Sequence, residues 1–205
     1  LLCAAYGRGA VNTVSWHPQN PESGASAWDG KTSTAVSSIL PGGANHAQFR
    51  LWLDRLAGFF VGLKSADGTC VPVLFRPFHE HTGNGFWWGK GNCTADQYIA
   101  LWRFTLEYLR DTKGVHNLLY VYSPDLYRDA EHYTERYPGD EWVDVLGLDA
   151  YHRPQDWDFL SGGERMLSTL QRLGHEHGKP TAFTETGLEG IPDTAWWTRR
   201  LLPVI

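Results

Sequence analysis

The chain has 205 residues, with 18 Lys and Arg against 23 Asp and Glu, for a formal net charge of −5. A typical domain runs to about 150 residues, so this length fits a single one, residues 1–205, and 42% hydrophobic content is enough for a sizeable core. Mild acidity without any Lys/Arg run excludes a nucleic-acid or anionic-membrane binder, and the longest apolar stretch, residues 56–63, is far short of the ~20 needed to span a bilayer.

Five short apolar runs read as buried strands. In chain order they cover residues 11–16, 71–76, 118–122, 143–148 and 181–184, rich in Val, Leu and Phe with little alternation. That is the pattern of parallel strands covered on both faces. After the first run comes an irregular stretch, residues 18–43, rich in Ser, Gly, Asn and Pro. Following a strand directly, it reads as a functional loop rather than a domain boundary. Phe49, Leu53, Leu56, Phe60 and Leu63 then recur at helical steps, with Asn45 and Gln48 as a start signal. Thr94-Ala-Asp-Gln97 has the form of a capping box ahead of Tyr98, Leu101, Trp102, Thr105 and Leu109. A second box, Ser161-Gly-Gly-Glu164, precedes Leu167, Leu170 and Leu173, and that helix stops before Gly178 and Pro180.

Alternating strands and helices make an α/β fold. Each strand delivers a polar residue at its C-terminal end: His17, then His79 and Glu80, then Asp125, then Asp149 and Tyr151, then Glu185. In a (β/α) barrel those ends share one mouth, where the chemistry is done. A doubly wound sheet would instead show a Gly-rich phosphate turn, and no strand here is followed by one. The pattern favours a TIM barrel.

Glu80 and Glu185 are the candidate chemical pair, 105 residues apart and each at a strand end. Cleaving a glycosidic bond takes two carboxyl groups, one to protonate the leaving oxygen and one to attack the anomeric carbon or activate water. Glu80 lies between His79 and His81 and is followed by Phe86-Trp-Trp-Gly89. Sugars stack their C–H faces on aromatic rings and need polar partners for their hydroxyls, and this loop offers both. Ten Trp in the chain imply that some line a ligand surface, although each one taken singly is better explained as core.

Arg76-Pro-Phe-His-Glu80 with Phe86-Trp-Trp-Gly89 resembles the acid/base strand of glycoside hydrolase family 26, the β-mannanases. Ser15-Trp-His17, Tyr122-Ser-Pro-Asp125, Gly147-Leu-Asp-Ala-Tyr151 and Thr184-Glu-Thr-Gly187 match its other strand-end motifs in the same order. The resemblance implies a retaining hydrolase of β-1,4-mannosidic linkages with Glu80 as acid/base and Glu185 as nucleophile. Tyr151 and Arg76 would orient Glu185 and keep it ionised, and His79 would position Glu80. His17 and Asp149 would meet sugar hydroxyls or support groups that do, and Trp87 or Trp88 would stack on the sugar. The implied partners are mannan, glucomannan or galactomannan oligosaccharides, with no cofactor or metal. Another β-glucan or xylan as substrate, or a non-catalytic carbohydrate-binding role, are the alternatives. Gly85 stands where many members carry an aromatic, which removes one stacking wall.

A complete barrel has eight strands in ~250 residues. The five seen here correspond to strands three to seven of the family, so the expectation is a fragment, unstable or inactive when isolated, of a protein that is monomeric when complete. The start, Leu-Leu-Cys-Ala-Ala-Tyr, shows no signal peptide. A polymeric substrate nevertheless implies an extracellular, cell-surface or periplasmic location. Cys70 and Cys93 either pair or stay free, with Cys3 left over. Neither His79-Glu-His81 nor His175-Glu-His177 has metal-ligand helix spacing, and the second pair reads as a helix end.

Overall fold

Five parallel strands, β1 (Asn12–Trp16), β2 (Val73–Pro77), β3 (Leu118–Tyr122), β4 (Val145–Asp149) and β5 (Thr181–Glu185), pair in sequence order in the computed structural model. It describes residues 1–153 and 158–205. Sequential parallel order is the order of a (β/α) barrel wall, and the arc here holds five strands of it, with nothing paired to the outer edges of β1 and β5 among the described residues. Each predicted run became a strand, its ends within two residues of the expected ones. β4 extends to Asp149 and β5 to Glu185, so these two carboxylates are the last residues of their strands.

Helices α1 (Leu2–Tyr6), α2 (Ala35–Ile39), α3 (His46–Val61), α4 (Ala95–Glu107), α5 (Ala130–Thr134) and α6 (Phe159–His177) fill the connections. Phe49, Leu53 and Phe60 of α3 and Tyr98, Leu101 and Trp102 of α4 carry the apolar stripe, packed on Phe75 and the rest of the sheet in one cluster. Thr94 makes the expected capping box with Gln97. Asn45 does precede α3 but does not cap it; its side chain donates instead to Ser38 Oγ. The Ser161 box is corrected outright. Asp158 is the N-cap of α6, accepting from Leu160 N, and Ser161 lies inside the first turn with its hydroxyl on Asp158. Aspartate three residues ahead starts the helix earlier, accepting a first-turn N–H that lies before Ser161. Gly178 ends α6 in the left-handed conformation as expected.

One irregularity matters for function. The β4–β5 register slips between Leu148 and Asp149, so Asp149 faces Glu185 rather than Thr184. A bulge of this kind re-aims side chains at the end of a strand.

Candidate active site

Arg76 is the hub. Its nearly inaccessible guanidinium donates from Nη1 to Glu185 Oε1 at 2.6 Å, from Nη2 to Asp149 Oδ2, and from Nε to Ser123 Oγ at 3.1 Å. One side chain thereby ties the C-terminal ends of β2, β3, β4 and β5 together. Gly147 permits the approach: a Cβ there would stand 2.8 Å from both Ser123 Cβ and Thr184 Oγ1. Asp149, expected among the sugar ligands or their supports, is a support. It is 1% exposed, with one oxygen on Arg76 and the other accepting from Thr184 Oγ1 at 2.6 Å. A carboxylate so enclosed has no face left for a sugar hydroxyl, which corrects its place among the substrate-binding residues.

Glu185 ends β5 with its second oxygen accepting from the Tyr151 hydroxyl at 2.7 Å. Burial raises its pKa, but the Arg76 charge and the hydrogen bonds from Tyr151 and Arg76 outweigh that and hold it below the ordinary carboxylate value. Glu80 is in the opposite situation. Burial pushes it up to about 7, and the charges of Asp125 and Glu185 add to the shift. Its backbone is left-handed (φ 51°), as is that of Phe78 (φ 52°). Such conformations cost about 1–3 kcal/mol each and persist only where the surroundings impose them. Here Glu80 N donates to Ser123 O at 2.9 Å and Tyr98 Oη to Phe78 O at 2.9 Å. Asp125 Oδ1 fixes the next residues, accepting from Thr82 N at 2.9 Å, Gly83 N at 3.0 Å and the Thr82 hydroxyl.

Glu80, Asp149 and Glu185 each bring an oxygen within 4.8 Å of the other two. A cation could sit among three carboxylates, but the Arg76 guanidinium already supplies positive charge to two of them. Close approach of the Glu80 and Glu185 carboxyl oxygens is the arrangement that retaining glycosidases use, their two carboxyl groups standing nearer together (~5–5.5 Å) than those of inverting ones.

His79 is buried, edge-on to the His17 ring at 4.6 Å and beside Phe86 at 5.1 Å. Burial, Arg76 and His17 push it down to about 3, so it is a neutral imidazole at pH 7. His17 is exposed on the rim, its pKa lowered by partial burial against the pull of Glu185. His81 faces elsewhere, enclosed between Tyr98 and Tyr122 with ring centroids at 4.4 and 4.7 Å. His177 meets Asp140 at 2.8 Å at the end of α6. All three cysteines are free, Cys70 at the surface and Cys93 in the interior.

Trp87 and Trp88 do not present a stacking face. Each is 0% exposed, with its indole N–H satisfied by Pro18 O at 3.0 Å and His79 O at 2.8 Å respectively. They are the packing behind the rim. Trp28 is the exposed ring next to His17, 63% accessible, stacked on His17 at 5.4 Å and tilted against Phe86 at 5.4 Å. Residues 18–43 gave the signal as a functional loop, but nothing in the spacing singled out Trp28. Ser123 and Thr184, which complete the Arg76 network, were legible only as members of strand-end motifs.

A family model, glycosyl hydrolase family 26, matches residues 2–163. The chain belongs to this family. A mannan endo-1,4-beta-mannosidase of Bifidobacterium adolescentis is 39% identical over 189 residues, covering 89% of this chain and 19% of that protein. One from Bacillus subtilis is 35% identical over 201 residues, covering 92% of this chain and 51% of its own. Among solved structures, a family 26 beta-mannanase from Bacteroides ovatus superposes with a TM-score of 0.94 at 48% identity, over 100% of this chain and 59% of that one. The modular endo-beta-1,4-mannanase of Cellulomonas fimi gives 0.93 at 38%, over 98% and 46%. The five-strand arc is thus the matching part of a family 26 TIM barrel, and this chain spans about half or less of the curated relatives' length.

Proposed function

We propose that the protein carrying this chain is an endo-β-1,4-mannanase that acts with retention. The observation that carries the reading is the contrast between two neighbouring glutamates, Glu80 pushed up to about 7 and Glu185 held low by Arg76 and Tyr151. At neutral pH that contrast supplies an acid and a nucleophile on the same cleft. Glu185 attacks the anomeric carbon while Glu80 gives its proton to the departing glycosidic oxygen. The covalent glycosyl–Glu185 ester is then opened by water, whose proton returns to Glu80. Tyr151 keeps the attacking carboxylate oriented, neutral His79 lies against the rim residues His17 and Phe86, and Trp28 is the surface on which a sugar ring stacks.

The names of the curated relatives favour mannan, with glucomannan and galactomannan as variants of it. A second reading, another β-glucan, has one observation behind it: an endoglucanase H of Acetivibrio thermocellus is 30% identical over 93 residues. Incubating the protein with mannan, mixed-linkage glucan and xylan side by side, and following the anomer first released, decides between them. Sugar release from mannan with β product is expected; an α product first, or release from glucan alone, overturns the reading. A polymeric substrate favours action outside the cytoplasm. No helix among the described residues is long and apolar enough to cross a membrane.

A further inference from the structure

Arg136 takes no part in the chemistry above, yet it is 2% exposed, and among the described residues no carboxylate lies within ion-pair distance of it. It stands just after α5, in the connection from β3 to β4, and reaches across to the loop leaving β2. Nη1 donates to His81 O at 2.8 Å and Trp88 O at 3.1 Å. Nη2 donates to Cys93 O at 3.0 Å, Cys93 Sγ at 2.8 Å and Thr94 O at 3.3 Å. The guanidinium carbon lies 4.5 Å from the centroid of the Tyr98 ring, whose hydroxyl holds Phe78 O.

A guanidinium withdrawn from water without a counter-ion is an expensive core residue, and apolar side chains of similar volume generally fill such space with greater stability. What the guanidinium does that they cannot is hold several carbonyls at once in a rigid planar fork. Those carbonyls belong to the residue immediately after Glu80, to the aromatic rim packing, and to the N-cap of α4. Phe78 and Glu80 carry the left-handed backbone at the front of the same segment.

We propose that Arg136 is a positioning residue for Glu80: by gripping the carbonyls of residues 81, 88, 93 and 94 from behind, it fixes the strained segment that aims the Glu80 carboxyl at the glycosidic oxygen. The proposal rests on Glu80 being the acid. It differs from a purely structural role in one measurable respect. Loss of aim at the leaving oxygen matters only when that oxygen needs a proton.

Arg136→Lys keeps the charge but loses the fork. In the protein carrying this chain, kcat/KM of Arg136→Lys is compared with wild type on a β-1,4-mannan oligosaccharide and on 2,4-dinitrophenyl β-mannobioside, whose leaving group departs without protonation. A loss of about 10- to 100-fold on the oligosaccharide is expected, as for an ångström-scale misplacement, against no more than about threefold on the activated glycoside. Equal losses on the two substrates overturn the proposal. If Arg136→Lys does not fold, Arg136→Gln, which buries no charge, is read in the same way. Should neither fold, the residue's role is stability alone and the proposal also fails. Glu80→Ala is the control: if it shows no leaving-group dependence, the reading of Glu80 as acid has failed, whereas dependence in Glu80→Ala with none in the Arg136 variant fails the positioning role alone.

Discussion

Glu80 and Glu185 bring carboxylate oxygens within 4.8 Å of each other across the mouth of the strand arc, in opposite electrostatic surroundings. Glu185 sits on the guanidinium of Arg76 and the hydroxyl of Tyr151, while Glu80 is enclosed and faces the negative charges of Asp125 and Glu185. Shared occupancy of one cleft, with protons apportioned unequally, is what a double displacement requires.

Removing either carboxyl separates binding from turnover. Glu80→Gln is expected to lower hydrolysis of mannan oligosaccharides by about 10²–10⁴-fold, the usual range for a lost general acid. Glu185→Ala should abolish it. Titration calorimetry on the two variants should still detect oligosaccharide binding, and an unchanged rate in either one contradicts the assignment.

The pH profile has a definite sign. In the proposed mechanism Glu80 is the protonated acid, so kcat/KM is expected to be lost as pH rises through about 7. The proposed nucleophile Glu185 is ionised, so the acid limb is expected below the ordinary glutamate value. Asp125→Asn removes one of the charges that raise Glu80 and should move the alkaline limb to lower pH. An alkaline limb that stays in place shows that another group sets it.

Stability carries the same signature. Glu80 is raised from 4.5 to about 7, so between those values the folded state binds more protons than the unfolded one, and stability falls as pH rises. Glu80→Gln removes that ionisation. Its melting temperature should exceed wild type at pH 8 and show a smaller difference at pH 4, measured by calorimetry at the two pH values.

Arg76→Met leaves Asp149 buried without its cation and Glu185 without its strongest donor. Losing one partner of a buried ion pair typically destabilises by about 3–5 kcal/mol, and denaturant unfolding should find a loss of that order together with near-complete inactivation.

Two tryptophans should behave oppositely. Trp28→Ala removes an exposed stacking face and is expected to raise KM several-fold while kcat changes little, since such contact is made equally in ground and transition states. Trp87→Ala empties a sealed site and should destabilise by about 3–5 kcal/mol. Initial-rate kinetics alongside thermal melts tell the two effects apart.

Periodicity and strand-end chemistry in the sequence were enough to give the parallel α/β order and to single out the two glutamates as a candidate pair, because a five-residue apolar run closed by a polar residue is a local pattern. The partnership of Arg76 and Tyr151 with Glu185 was implied only by the family resemblance, and the structure shows both contacts. Helix starts were less secure. Ser161-Gly-Gly-Glu164 has the right letters, yet the helix begins earlier, with Asp158 accepting from Leu160 N and Ser161 already inside the first turn. Only the tertiary structure decided which aromatic ring meets solvent: Trp87 and Trp88 look available in a loop, but neighbouring carbonyls accept their N–H groups and the packing seals their faces, leaving Trp28 outside. The same holds for Asp149, turned by a bulge onto Arg76, and for Arg136, whose partners lie 42 to 55 residues away in the chain. Burial and charge pairing are sums over neighbours that are remote in sequence, and spacing along one strand does not carry them.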